Sequence, residues 1–209
     1  MSFESQQQAI ELLALPGRPP SDKKLAVFLR NVFTVAECEA LIKRAETIGF
    51  EPAKAGDQSG RSNDRCIIDD QNVAAEIFRR VRHVLPEQRR DDFGDAHELD
   101  TLSCINERLR VQRYGPDQAF AKHVDGQYER EDGSERSHIT VQLYLSQQFE
   151  GGTTRFLDHN IRSPLFLDVV PETGACLIFE HELVHAGSPV TVGLKYTLRT
   201  EAMYKKPAQ

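Results

Sequence analysis

The chain has 209 residues, with 26 Lys and Arg against 32 Asp and Glu, a formal net charge of −6 at pH 7. That length fills one core but falls short of two comfortable domains, and the mild acidity argues against nucleic acid or a membrane surface as the main partner. No apolar run approaches membrane-spanning length. The N-terminus lacks a basic start ahead of an apolar run, so it does not read as a signal peptide. Cys38, Cys66, Cys104 and Cys176 have no paired spacing. Reduced thiols and a cytoplasmic setting are therefore expected.

The first residues predict a short helix over Gln6–Leu15, ended by Pro16-Gly17, with Pro19-Pro20 as a stiff connector. Leu25–Phe33 reads as a strand. Thr34-Val-Ala-Glu37 is a capping box that opens a helix over Ala36–Ile48, stopped by Gly49. Residues 55–64 are polar and Gly-rich, which predicts a loop. A second helix is expected over Asn72–Leu85, with Val73, Ile77, Phe78, Val81 and Val84 facing inward. The charged stretch from Pro86 to Asp95 predicts irregular structure. The basic clusters Arg79-Arg80 with Arg82, and Arg89-Arg90 followed by Asp91-Asp92, read as solvated, charge-mixed surface.

From Arg108 onward the pattern changes to short β runs between turn residues. The runs are 108–114, 119–124, 138–145, 153–157, 165–170, 175–179, 189–192 and 195–204. Regularly spaced runs of this kind suggest a jelly roll or barrel rather than a parallel sheet. The fold class expected is mainly β with N-terminal helices, an α+β chain with a double-stranded β-helix (jelly roll) core. Residues 1–21 would form a helical tail and linker. Residues 22–209 would form one domain, with helical support over 22–105 and the jelly roll over 106–205.

The chemistry concentrates in three places. On a strand, residues i and i+2 share a face, so His123 and Asp125 project together. His185 follows an apparently buried strand that can carry it into the same cavity. Two histidines and one carboxylate can hold one face of an octahedral iron(II), leaving the other face for a chelating cosubstrate and dioxygen. Lys195 lies ten positions beyond His185 at the start of the last strand, and Arg199 four further on, as candidate cations for a cosubstrate carboxylate. Tyr144, in phase with Thr140 and Gln142, could donate to the same carboxylate.

The text Arg113-Tyr114-Gly115-Pro116…Phe120…His123-Val124-Asp125, then Leu143-Tyr144-Leu145-Ser146, Phe149-Glu150-Gly151-Gly152-Thr153…Phe156, Leu183-Val184-His185-Ala186-Gly187-Ser188-Pro189-Val190 and Gly193-Leu194-Lys195-Tyr196…Leu198-Arg199-Thr200 resembles the prolyl 4-hydroxylase-like branch of the Fe(II)- and 2-oxoglutarate-dependent dioxygenases. The resemblance covers about residues 107–204. It implies that His123, Asp125 and His185 ligate iron and that Lys195 pairs with the distal carboxylate of 2-oxoglutarate. It implies that Tyr144 assists, that Tyr114 lines the pocket, and that Arg199 shares or replaces the anchor. The implied reaction hydroxylates an unactivated C–H bond and releases succinate and CO2. Its cofactors are Fe(II) and 2-oxoglutarate, with ascorbate as a candidate reductant. The partners are dioxygen and a peptide, protein or small-molecule substrate, with no nucleic acid and no membrane. Peptidyl proline is the favoured substrate, while a free amino acid, another metabolite or another protein residue stays open.

Two alternatives compete. His181-Glu182-Leu183-Val184-His185 is a literal H-E-x-x-H, which on a helix would make a zinc metallopeptidase with Glu182 as base. Against it, Gly187 and Pro189 would end such a helix at once, and no third ligand follows. The other alternative is a non-catalytic jelly-roll binding or sensor module, which should have lost a ligand or the anchoring cation. His83, His97, His138 and His159 read as surface or hydrogen-bonded histidines. Arg65, Arg108 and Arg110 could be mouth cations for an acidic substrate. Segments 55–64 and 126–137 are candidate lids or plain loops.

Overall fold

A computed structural model of the chain describes residues 8–18, 24–53, 60–90, 99–160 and 162–207. Its elements run β1 (Ile10–Leu12), β2 (Ala26–Leu29), α1 (Val35–Ile48), β3 (Glu51–Pro52), β4 (Asp64–Asp69), α2 (Gln71–Val81), a 3-10 turn (Arg82–Val84), β5 (Gln88–Arg90), β6 (Leu99–Ile105), β7 (Arg108–Tyr114), β8 (Phe120–His123), β9 (Glu135–Tyr144), β10 (Phe149–Gly151), β11 (Thr154–Leu157), β12 (Phe166–Val169), β13 (Cys176–Glu180), β14 (His185–Gly187), β15 (Val190–Gly193) and β16 (Lys195–Lys205).

Two antiparallel sheets face each other. The larger follows the order β1-β2-β13-β9-β16-β7-β4-β3, with β6 on β16 and β5 on β6; the smaller follows β12-β11-β14-β8. The chain alternates between them: β7 large, β8 small, β9 large, β11 and β12 small, β13 large, β14 small, β16 large. That alternation is the double-stranded β-helix expected from the turn spacing.

Strand periodicity assigns the two faces of the large sheet. Leu109 and Val111 of β7, Ile139, Val141 and Leu143 of β9, and Leu198 of β16 join one apolar cluster with Cys38, Leu41 and Ala45 of α1 and Ala74, Ile77 and Val81 of α2. The helices therefore cover the outer face of that sheet. Fully burying a Leu or Ile side chain there contributes about 1.5–3 kcal/mol. The opposite phase carries Gln112, Thr140, Gln142, Lys195, Thr197 and Arg199 toward the space between the sheets. A second apolar cluster, including Phe28, Tyr144, Phe156, Leu177 and Phe179, fills one end of that space.

The capping box at Thr34 forms in both directions: Glu37 N donates to Thr34 Oγ1 and Thr34 N to Glu37 Oε2. The helix stops at Gly49. Several expectations differ from the structure. The expected helix over 6–15 is replaced at Ile10–Leu12 by a strand, because these residues pair with Val27–Leu29 at the sheet edge and tertiary pairing outweighs local propensity; residues 1–7 and 19–23 lie outside the described residues. Beside β2, which forms inside the strand expected over 25–33, the support region contributes β4 and β6 to the large sheet, so it is not purely helical. The second helix ends at Val81 in a 3-10 turn, and Leu85 is extended ahead of Pro86. Part of the expected irregular stretch is β5, while residues 91–98, His97 included, lie outside the described residues. Segment 126–137 is closed by a Glu129–Arg136 bridge and runs into β9. Of the other proposed lid, residues 55–59 lie outside the described residues. No helix among the described residues is long and apolar enough to cross a membrane.

Candidate metal centre and cosubstrate pocket

The small sheet brings the ligands together. His185 of β14 stands opposite His123 of β8 in register, and their ring centroids are 4.2 Å apart. β8 ends at His123, so Asp125 lies just past the strand. Its backbone N–H donates to the His181 carbonyl at 2.9 Å, which fixes where its side chain emerges. The side-chain donor atoms of His123, Asp125 and His185 lie within 4.8 Å of one another.

The hydrogen bonds orient these donors. His123 Nδ1 donates to the Ala121 carbonyl at 2.7 Å and His185 Nδ1 to the Leu183 carbonyl at 2.8 Å. A proton held on each Nδ1 leaves each Nε2 with a lone pair. Those Nε2 atoms lie 3.6 Å and 3.8 Å from the Asp125 oxygens. Two imidazole lone pairs and a carboxylate thus converge on one point, a donor set that fits a first-row divalent metal such as iron(II). Burial pushes the His185 imidazole down to about 4, with Asp125 opposing the shift, so the ring is neutral and able to ligate at pH 7.

Both Asp125 oxygens are held. Arg199 Nη2 lies 2.9 Å from Oδ1, and Thr140 Oγ1 donates to Oδ2 at 2.5 Å. Burial alone would raise the Asp125 carboxyl. Arg199, His123, His185 and Thr140 outweigh it and hold the group far below the usual carboxylate range. Phe120 stacks on the His123 ring at 3.5 Å, and Phe179 meets the His185 ring edge-on at 4.7 Å. These aromatic walls limit the rings' freedom to rotate.

Beside the metal cluster lies a narrow pocket lined by Gln112, Tyr114, Thr154, Lys195 and Thr197, among others. Lys195 is 4% exposed. Its ammonium donates to the Gly152 carbonyl at 2.7 Å. Among the described residues it has no carboxylate partner. Burial accordingly pushes its pKa down to about 7. The Tyr114 and Tyr144 rings stand 5.2 Å and 5.9 Å from the ammonium, within cation–π range. Gln112 Nε2, also buried, has no hydrogen-bond partner among the described residues. An unpaired buried cation beside an orphaned amide donor is what a carboxylate of a cosubstrate would complete.

The two tyrosines and Arg199 occupy places of their own. The Tyr144 hydroxyl is tied to Thr154 Oγ1 at 2.7 Å, and Tyr114 donates to Gln112 Oε1 at 3.3 Å. Burial raises the Tyr114 phenol to about 12, so it stays protonated. Arg199 shares a strand face with Lys195, but its guanidinium is turned to Asp125, on the metal side. Sequence reading had missed Gln112, Thr140, Thr197 and Arg61. The first three were detectable as polar residues in the inward phase of strands whose other phase is apolar. Arg61 carried no such signal, being single in an irregular stretch.

The H-E-x-x-H text lies on no helix. Residues 181–184 form the turn that crosses from the large sheet to the small one, and only His185 enters a strand. His181 is thus a turn residue. Glu182 is engaged by Lys24, away from the cluster. His138 Nε2 hydrogen-bonds Asp100 at 2.7 Å; His159 pairs with Asp158 at 3.0 Å; His83 is exposed. Of the expected mouth cations, Arg110 is paired with Glu201 at 2.8 Å, Arg108 lies 3.6 Å from Asp69, and Arg65 sits on β4 opposite Gln112.

Comparison with known proteins agrees with the site. Residues 109–200 match the model of the 2OG-Fe(II) oxygenase superfamily. The match spans β7 through most of β16, the stretch that carries the His123–Asp125–His185 cluster and Lys195, and it supports iron(II) and 2-oxoglutarate as cofactor and cosubstrate. A search of curated proteins returns no match. Among solved structures, a Pseudomonas putida prolyl-4-hydroxylase superposes with TM-score 0.61 at 16% identity, over 89% of this chain and 95% of its own. A viral collagen prolyl hydroxylase from Paramecium bursaria Chlorella virus-1, solved with 2-oxoglutarate, gives 0.57 at 18%, over 90% and 99%. A Trichoplax adhaerens prolyl hydroxylase in complex with a hypoxia-inducible-factor peptide fragment gives 0.60 at 14%, over 86% and 84%. At these identities the likeness establishes the shared fold.

Proposed function

We propose that the chain is an Fe(II)- and 2-oxoglutarate-dependent dioxygenase that hydroxylates an unactivated C–H bond, in the manner of the prolyl hydroxylases whose fold it shares. One observation carries this reading. Two Nε2 lone pairs and a carboxylate converge beside a pocket that also holds a buried ammonium with no anionic partner among the described residues.

In the proposed reaction His123, Asp125 and His185 would ligate the iron. Lys195 pairs with the distal carboxylate of 2-oxoglutarate, and Gln112 Nε2 is free to donate to the same group. Bound iron and 2-oxoglutarate supply the oxidative chemistry with dioxygen, releasing succinate and CO2 as the substrate C–H bond is hydroxylated. The protein contributes orientation and exclusion of water. Arg199 and Thr140 fix the Asp125 carboxylate in one rotamer. The backbone carbonyls of Ala121 and Leu183 fix the imidazole tautomers. Phe120 and Tyr114 wall the pocket and the Tyr144 ring lies beside the ammonium, so the Lys195 charge acts at low dielectric, where it is worth more than in water. The test is direct: purified protein given Fe(II), 2-oxoglutarate and oxygen should release succinate, and His185→Ala should not.

A further inference from the structure

Beside the cosubstrate pocket, and sharing Phe120, His123, Asp125 and Arg199 with it, the metal cluster opens onto a second cavity of about 380 Å³, lined also by Arg61 and Glu201. That volume lies at the small end of ligand pockets. Most of its charges are already matched. Glu201 accepts from Arg110 at 2.8 Å and 3.0 Å and from Asn106 at 3.2 Å. Asp125 is matched to Arg199 at 2.9 Å. Arg61 is left over. Among the described residues no carboxylate lies within ion-pair reach of its guanidinium, and its buried Nε has no hydrogen-bond partner. The Nε of Arg199 is unpartnered in the same way.

The position of Arg61 is built rather than incidental. Its guanidinium carbon lies 3.9 Å from the Phe120 ring centroid, and Phe120 stacks at 3.5 Å on the metal-site His123. Arg61 bridges Phe120 through the backbone, and Ala121 N donates to the Gly60 carbonyl at 3.2 Å. Gly60 has φ +61°, and a Cβ there would stand 2.7 Å from Ala121 Cβ, so a side chain at this position would push the segment away. The close approach of residues 60–62 to β8 thus holds a planar cation one aromatic ring away from the iron position. A planar guanidinium fork is matched to a carboxylate.

We infer that the prime substrate carries a free carboxylate, received by Arg61 in this cavity, so that an amino-acid-sized acid is preferred over a neutral internal residue of a peptide. This rests on the oxygenase reading above. Burial without a partner lowers the Arg61 pKa from its ordinary value, in keeping with a desolvated cation that an arriving anion would stabilise. The same carboxylate could come from a free acid or from an Asp or Glu side chain, and the test separates the two.

The protein is loaded anaerobically with Fe(II) and 2-oxoglutarate, and the visible charge-transfer absorbance is recorded. Binding is then measured by calorimetry for a panel of small amino and hydroxy acids, each with its primary amide, and for terminally capped peptides with and without Asp or Glu. At least one acid is expected to bind at least about tenfold tighter than its amide, the scale of one charge-assisted hydrogen bond. Arg61→Gln should bring acid and amide within about threefold, and Arg61→Lys, which keeps the charge but not the fork, should restore part of the gap. Preference confined to capped acidic peptides would assign the carboxylate to a side chain and overturn the free-acid form. Equal binding of acids and amides, no acid binding at all, or a preference that survives Arg61→Gln would overturn the inference. If Arg61→Gln fails to fold, the acid–amide comparison on the native protein decides. Absence of the charge-transfer absorbance would instead overturn the oxygenase reading itself.

Discussion

Arg199 and Asp125 are joined at 2.9 Å across the metal site, while Thr140 holds the other Asp125 oxygen at 2.5 Å. A carboxylate gripped on both oxygens, as the proposed ligand Asp125 is, is fixed in direction before any metal arrives. Partners that orient a ligand are typically worth about 10–100-fold in metal affinity. Arg199→Ala is therefore expected to weaken Fe(II) binding by about that factor, measured by anaerobic titration. An unchanged iron affinity, with a large rise in the 2-oxoglutarate requirement, would return Arg199 to the cosubstrate anchor.

Lys195 is the opposite case. Among the described residues no carboxylate lies within ion-pair reach of it, so its variant should act on the cosubstrate. Lys195→Ala is expected to raise KM for 2-oxoglutarate by about ten- to a hundredfold, as loss of a charged hydrogen bond implies. Iron affinity, titrated without cosubstrate, should change little.

The same lysine gives a pH dependence. Burial has lowered its pKa to about 7, and only the ammonium form attracts a carboxylate. As pH rises through 7 the free protein loses that charge. The 2-oxoglutarate affinity should then fall toward tenfold per pH unit, and fall no further once the pKa of the complexed lysine is passed. Anaerobic titrations of the Fe(II)–2-oxoglutarate absorbance at pH 6, 7, 8 and 9 measure this. Flat affinity across that range would mean that the lysine stays charged throughout or is not the anchor.

Much of this site can be read from the amino-acid order, for a physical reason. Lys195, Thr197 and Arg199 share a face of β16 because strand side chains repeat every two residues, whereas Asp125 lies past the end of β8 and meets His123 through its backbone bond to the His181 carbonyl. The capping box at Thr34 and the stop at Gly49 are local chemistry and appear where they are expected. What local reading misses depends on partners distant in sequence. Ile10–Leu12 is a strand only because Val27–Leu29 lies beside it. β14 is three residues long, too short for any period to show. Arg61 matters because residues 60–62 lie against β8, a contact between stretches about sixty residues apart. The different tasks of Lys195 and Arg199 depend on which carboxylate each reaches, and spacing alone left that open.

Gly152 tests how tightly the anchor is built. It has φ +62°, and an added Cβ would lie 2.9 Å from Phe149 and 3.1 Å from the Lys195 side chain. Its carbonyl also accepts from that lysine. Gly152→Ala is expected to destabilise the fold by about 1–3 kcal/mol in chemical denaturation, from strain at positive φ and overpacking. It should raise the 2-oxoglutarate requirement as well. A variant as stable as the native protein, with an unchanged requirement, would contradict this packing.

Arg80 links the two helices by donating to Glu37 of α1 and Glu76 of α2, and it lies over the Phe33 ring at 4.2 Å. Its hydrogen bonds pull the Glu37 carboxyl down to about 2, and Arg79 with Arg80 do the same for Glu76. A carboxyl depressed by folding adds stability above its unfolded value of 4.5 and loses it as pH falls toward 2. Both acids are partly exposed, so screening keeps the gain small. Glu37→Gln should flatten the acid limb of the stability curve between pH 4.5 and 2, followed by urea unfolding. An unaltered limb would show that the cluster adds nothing.

The most direct test of the central claim is the visible spectrum of the anaerobic protein on addition of Fe(II) and then 2-oxoglutarate. Native protein should develop a charge-transfer absorbance that needs both additions, and His123→Ala, Asp125→Ala and His185→Ala should each fail to develop it. A native protein with no such absorbance, or a His185→Ala protein that shows it at full strength, would contradict the assignment of this cluster as the iron site.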